Sequence, residues 1–126
     1  MQENLDQQRA RFAWEKVKGQ DKEYVNLSKG LPALIMQSGL MPVLAFLHEK
    51  GKTHHQALLK HLCTWLQQRF PQQILNEDFT KVMTALMGKP EGNPTVQARF
   101  YQMATEEALS ILRWIRQFSA AVSGGN

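Results

Sequence analysis

Four histidines, His48, His54, His55 and His61, and a single cysteine, Cys63, are the residues of this 126-residue chain whose types could hold a transition metal. Such chemistry needs nitrogen and thiolate ligands converging on one point at about 2.0–2.3 Å. Read as a helix, His54 and His61 share a face but stand about 10 Å of rise apart, too far for one small ion unless the side chains reach inward from both ends. His55 projects from an apolar stripe, where a packed, hydrogen-bonded core histidine is the simpler use. A zinc ribbon needs paired cysteines, and one cysteine excludes both that and an internal disulfide. A lone thiol on a leucine-rich helix suits a reducing interior, so a cytoplasmic location is expected.

The carboxylate pairs are no better placed for catalysis. Glu77 and Asp78 fall at a helix start, where negative charge meets the macrodipole favourably. Helical projection puts Glu106 toward Arg99 and Arg113, and Glu107 among Phe100, Met103 and Trp114. A carboxylate on an apolar face requires a partner, so Glu107 predicts a structural ion pair or interhelical hydrogen bond rather than acid–base chemistry. Gly88-Lys89-Pro90 lacks the glycine-rich approach and the hydroxyl of a phosphate-cradling loop, and neither GxSxG nor HExxH occurs. The expectation is no catalytic residue, no metal and no cofactor.

Fifteen Lys and Arg against eleven Asp and Glu leave a net charge of +4, an excess that favours a polyanionic partner while also serving solubility. Its pattern is more informative than its size. Arg9 and Lys16 flank one side of an apolar stripe on the first helix, and Arg11 and Lys18 flank the other. On the last helix Leu109 falls between Arg113 and Arg116 with Thr105 adjoining, an apolar spot ringed by guanidiniums that suits an interface. The bland use of the same pattern is a solvated arginine edge.

These residues are carried by helices throughout, because apolar residues recur at helical spacing and alternating strand patterns are absent. A first helix runs from about Asn4 to Lys18, burying Ala10, Ala13, Trp14 and Val17. A second runs from Lys22 to Ser38, broken or kinked near Gly30-Leu31-Pro32, and a third, from Leu40 to Lys50, has Pro42 in its first turn. Thr53 caps a fourth that ends near Arg69, with His55, Leu59, Leu62 and Leu66 as its stripe. Asn76 caps a short fifth that stops at Gly88. A turn-dense segment, Gly88 to Pro94, leads to a long last helix from Thr95 to Val122 carrying Phe100, Met103, Ala104, Ile111, Ile115, Phe118 and Val122. The fold class is therefore all-α, a single-domain bundle of five or six helices over 1–126 with a flexible tail at 123–126. Trp14, Leu34, Leu47, Leu62 and Ile115 are expected in one core. No window approaches a membrane span, and Met1 to Gln20 holds no signal-peptide core.

The run Leu31-Pro32-Ala33-Leu34-Ile35-Met36-Gln37-Ser38-Gly39-Leu40, then Leu44-Ala45-Phe46-Leu47 and Lys50-Gly51, resembles the small all-helical subunit of type III-B CRISPR Cmr effector complexes. The resemblance covers almost the whole chain in order. Arg9-Ala10, Ala13 and Val17 precede that run; His55, Leu58, Leu62, Trp65 and Leu66 follow it. Tyr101, Ala104 to Ala108, Arg113, Arg116 and Phe118 match the final helix. It implies a non-catalytic subunit of antiviral defence that stacks in several copies and helps hold crRNA and target RNA. Its partners would be the backbone RAMP subunit, the large cyclase-like subunit and further copies of itself, with no membrane. Joined to the residue pattern, this makes Arg9, Arg11, Lys16, Lys18, Arg113 and Arg116 the RNA-binding candidates and Leu109 an interface residue. The competing class is a helical protein-protein adaptor without RNA contact; a small enzyme using the histidines ranks below both. Sequence specificity should be poor, since no exposed stacking aromatics mark an RNA-reading module.

The metal expectation is tested by equilibrium dialysis against zinc: no stoichiometric zinc should be retained, and a His54→Ala, His61→Ala variant should behave as the parent. Tight zinc lost together with an activity in that variant would overturn it.

Overall fold

The computed structural model describes residues 4–122, so the tail expected at 123–126 lies outside the described residues. Among those described, six helices and no strand form: α1 (Leu5–Val17), α2 (Lys22–Ser38), α3 (Leu40–Lys50), α4 (Thr53–Arg69), α5 (Phe79–Met87) and α6 (Pro94–Val122). None of them is long and apolar enough to cross a membrane.

Short polar side chains set most of the starts, because a side-chain oxygen can accept from the orphan N–H groups of a first turn. Asn4 and Gln7 form a capping box: the Gln7 N–H donates to Asn4 Oδ1 at 2.7 Å and the Asn4 N–H donates to Gln7 Oε1 at 3.1 Å. Asp21 Oδ1 accepts from the Tyr24 N–H, and Asn93 Oδ1 accepts from Thr95 and Val96, with Pro94 in the first helical position. Two expected caps move. Asp78, not Asn76, caps α5, while Asn76 accepts from the Asp78 N–H in the turn before it. Lys52 takes the cap position of α4, and Thr53 is already helical.

The break expected near Pro32 does not occur; α2 is helical from Lys22 to Ser38. Proline removes one donor, but Leu31 and Ile35 on either side of it are fully buried, and tertiary packing holds a helix that local propensity would interrupt. The true corner is Gly39, with φ of 96°, where the chain turns into α3. A Cβ there would press on the Tyr101 hydroxyl, which accepts from the Met41 N–H at 3.0 Å and so caps α3 from the distant helix α6.

One hydrophobic cluster draws on all six helices. α6 is its spine. The pairs Arg9–Glu107 and Trp14–Phe118 make α1 run alongside α6 in the same direction, whereas Ser28–Ser119 and the approach of Gly39, at the end of α2, to Tyr101 make α2 run against it. α4 also runs against α6, through Trp65–Glu107 and Phe70–Phe100. Leu47, Leu62 and Ile115 lie in the core as expected, but Trp14 is 45% exposed and Leu34 is 38% exposed. On α1 the inward place belongs to Phe12, tilted against Trp65 at 5.0 Å, and Trp14 instead meets Phe118 edge-on at the seam with α6. Met103 and Val122, expected within the last helix's stripe, are exposed as well.

Leu62 has no exposed surface, so Leu62→Ala should lower stability by about 2–5 kcal/mol in chemical denaturation. The exposed change Leu34→Ala should cost under about 1 kcal/mol; equal losses at the two positions would contradict this core.

Candidate nucleic-acid interface

The six candidate RNA-binding residues divide between one buried ion-pair cluster and two separate surfaces. In the cluster, Arg9 grips Glu107 with both arms of its guanidinium, Nε to Oε1 at 2.8 Å and Nη2 to Oε2 at 2.7 Å, the bidentate geometry that suits arginine. Trp65 Nε1 donates to Oε1 at 2.9 Å, and Arg69 Nε stands 3.5 Å from Oε2, close enough for an ion pair but not aligned as a hydrogen bond. Arg9 Nη1 turns outward to Asp6 at 2.8 Å. Burial works against the Glu107 charge, but the hydrogen bonds from Arg9 and Trp65, with the fields of Arg9 and Arg69, outweigh it and hold the carboxyl below its usual 4.5. The hydrogen bonds to Glu107 in turn raise Arg9. The partner predicted for Glu107 is thus present.

Arg9 is consequently not the solvent-reaching edge that its spacing suggested. Its guanidinium is largely buried and spent on the fold. The other α1 candidates face outward in different degrees. Arg11 and Lys18 are exposed, Lys18 beside Glu15 at 3.4 Å. Lys16 is half-buried and lies over the Phe12 ring at 5.4 Å. Arg11 and Lys16 border a shallow depression whose far wall is Trp65 and Gln68 of α4.

Arg113 and Arg116 belong to the second surface. They follow Glu107 by six and nine residues, about 120° and 180° round the helix, and so point away from α1. With Leu109 and Ser110 they form one wall of a groove of about 410 Å³, the other wall being Pro32 and Met36 of α2. Leu109 is half-buried at its base, Met36 is 77% exposed, and no carboxylate lines it. The structure brings Leu109, Arg113 and Arg116 together but keeps them apart from Arg11, Lys16 and Lys18. Met36 and Pro32 were missed by sequence reasoning, because spacing within one helix carries no information about what a second helix lays beside it.

The histidines disperse into packing roles. His61 Nδ1 is 2.8 Å from the Tyr24 hydroxyl in the core, and burial, assisted by Lys16 and Lys60, lowers it to about 4. His55 is buried as expected, but its Nδ1 finds no hydrogen-bond partner among the described residues. His48 stacks flat on Phe79 at 4.1 Å. Burial, with Asp78 and Glu77, pushes the Cys63 thiol up to about 12. Among the described residues no group of His, Cys, Asp and Glu is arranged to hold a metal.

Residues 5–122 match the Cas_Cmr5 family model, described as a CRISPR-associated protein. The chain is 29% identical over 118 residues to the CRISPR system Cmr subunit Cmr5 of Thermus thermophilus, covering 90% of each chain. It is 26% identical over 107 residues to the protein of the same name from Thermotoga maritima, covering 82% of this chain and 69% of that one.

Two buried groups make stability acid-sensitive. Both native values lie below the unfolded ones, so each contribution is complete above the unfolded value and is lost as pH falls through the native one. For His61 the window runs from 6.5 down to about 4 and is worth on the order of 3 kcal/mol; for Glu107 it lies below 4.5. Denaturant unfolding from pH 7 to 3.5 should show the decline, less steep above pH 4 in His61→Asn. At pH 7, Glu107→Gln should cost about 3 kcal/mol, because Arg9 loses its counter-charge. An unchanged midpoint in Glu107→Gln would mean the buried pair does not hold α1.

Proposed function

Since the chain belongs to the CRISPR-associated Cas_Cmr5 family, and is thereby a subunit of a type III-B Cmr complex, we propose that it works there as a non-catalytic helical domain that stacks in several copies and helps hold guide and target RNA. Its partners are the backbone RAMP subunit, the large cyclase-like subunit, further copies of itself, and the crRNA and target RNA. Cleavage and nucleotide chemistry fall to those other subunits, in the cytoplasm.

The observation that carries the RNA contact is the groove between α2 and α6, where Arg113 and Arg116 are exposed with no carboxylate in the lining. A phosphate oxygen pair matches a guanidinium fork, and fixed opposing charge is absent. Arg11, Lys16 and Lys18 form a second basic edge on α1. Arg9 is left out of the contact set because Glu107 holds it. Phosphate contacts of this kind do not read sequence. Each copy would bind weakly, and several copies along one RNA would gain avidity without any stronger contact.

In the assembled complex, Arg113→Glu with Arg116→Glu should weaken target RNA retention and lower the salt slope by about 0.7 for each phosphate no longer neutralised. Arg11→Glu with Lys18→Glu should weaken retention further. Complexes that assemble normally and keep both retention and salt slope through all four reversals would favour a protein adaptor without RNA contact.

A further inference from the structure

A wider groove, about 640 Å³, lies at the opposite end of α6, between the segment before α5, α5 itself and the first turns of α6. Most of its surface is apolar, supplied by Leu75, Ala85, Val96 and Phe100, and the amides of Gln73, Asn76 and Gln97 also line it. Leu75 is 80% exposed and Val96 is 64% exposed, while the neighbouring Ile74 is anchored in the core. Exposed aliphatic side chains gathered in one concavity mark an interaction surface rather than ordinary scatter. Lys81 and Lys89 belong to the lining and no carboxylate does. Glu77 and Asp78 line a different depression with Lys60, and Glu91, exposed in the adjoining turn, is outside the lining.

The groove is shaped before anything enters it. Gln97 Nε2 donates to the Lys89 carbonyl at 3.0 Å, pinning the turn after α5 onto α6. Gly88 permits this, for its φ is 74° and a Cβ there would collide with the Gln97 side chain. A preformed groove spares a ligand the cost of ordering it.

We infer that this groove docks a segment of another protein subunit in which apolar side chains are flanked by Asp or Glu, the apolar residues seating against Leu75 and Val96 and the carboxylates meeting Lys81 and Lys89. Charge complementarity selects the acidic flank, and the aliphatic floor selects the apolar anchors. RNA matches the lysines but not the floor: the sole aromatic in the lining, Phe100, is half-buried with its ring held edge-on by Phe70 at 5.4 Å, leaving bases nothing to stack on. A second copy matches less well, since its most exposed large apolar side chain on α2, Met36, lies beside Arg113 and Arg116 and would bring like charge to the lysines. The inference rests on membership of an assembly, not on the RNA contact, and the two fail separately.

The test places a photo-cross-linking amino acid at Val96 of the full chain within the assembled complex. The expected adduct is with a segment of another protein subunit carrying apolar residues next to Asp or Glu. In parallel, Lys81→Glu with Lys89→Glu, and separately Leu75→Asp, are titrated into complex prepared without this subunit. Each should raise the concentration for half-incorporation about tenfold or more, with target RNA retained per incorporated subunit unchanged. All these positions are exposed, and unaltered thermal unfolding confirms that the fold is intact. An adduct with RNA, with a second copy or with a segment lacking carboxylates, no adduct at all, or unchanged incorporation of both variants would overturn the inference.

Discussion

A carboxylate cannot be buried alone, and the arrangement of α1, α4 and α6 follows from where Glu107 finds its partners. Arg9 supplies a bidentate fork from α1, Trp65 an indole N–H from α4, and Arg69 a further positive charge. Ion pairs of this kind add little net stability over a well-packed apolar alternative, but a missing partner leaves an uncompensated charge. Their effect is to select one arrangement: α1 must present Arg9 inward, at the height on α6 where Glu107 stands. Once that rotation is set, Phe12, Ala13 and Val17 go to the core, Arg11 and Lys18 go to solvent, and Trp14 is left at the seam with Phe118.

The other long contacts complete α6 as a spine. Tyr101 reaches the start of α3, Ser119 meets Ser28 on α2, and Phe100 meets Phe70 at the end of α4. With α1 and α2 lying on different sides of it, α6 has room for a groove beside α2 and a second beside α5. The two differ chemically. The first combines arginine forks with a narrow apolar base, and the second combines lysines with a broad aliphatic floor. The chemical difference lets the two grooves take different ligands without competing for one place.

Residues that could have been reactive are instead absorbed by packing. Burial keeps His61 neutral well below its usual range, joined to the Tyr24 hydroxyl, and keeps the Cys63 thiol protonated. His48 covers Phe79.

The helices and their class were legible in the sequence, because apolar residues recur at helical spacing along each and breakers such as Gly88 mark where one stops. The caps were less legible: Asp78 and Lys52 take the places expected of Asn76 and Thr53. The core positions Leu47, Leu62 and Ile115 were legible for a related reason, each lying in the middle of a stripe. That Glu107 needed a partner was also legible, from its place on an apolar face. Which partner it takes was not, since Arg9 lies 98 residues away and nothing local to either residue refers to the other. The same holds for Trp14 and Leu34, which sit at stripe edges, where burial depends on the angle at which a neighbouring helix arrives. Pro32 was misjudged because its local cost is set against tertiary packing. The grooves are the extreme case: each is a relation between elements, so spacing marked only Leu109, Arg113 and Arg116 on one wall of the first, and the packing of α2 and α5 against α6 made both into surfaces.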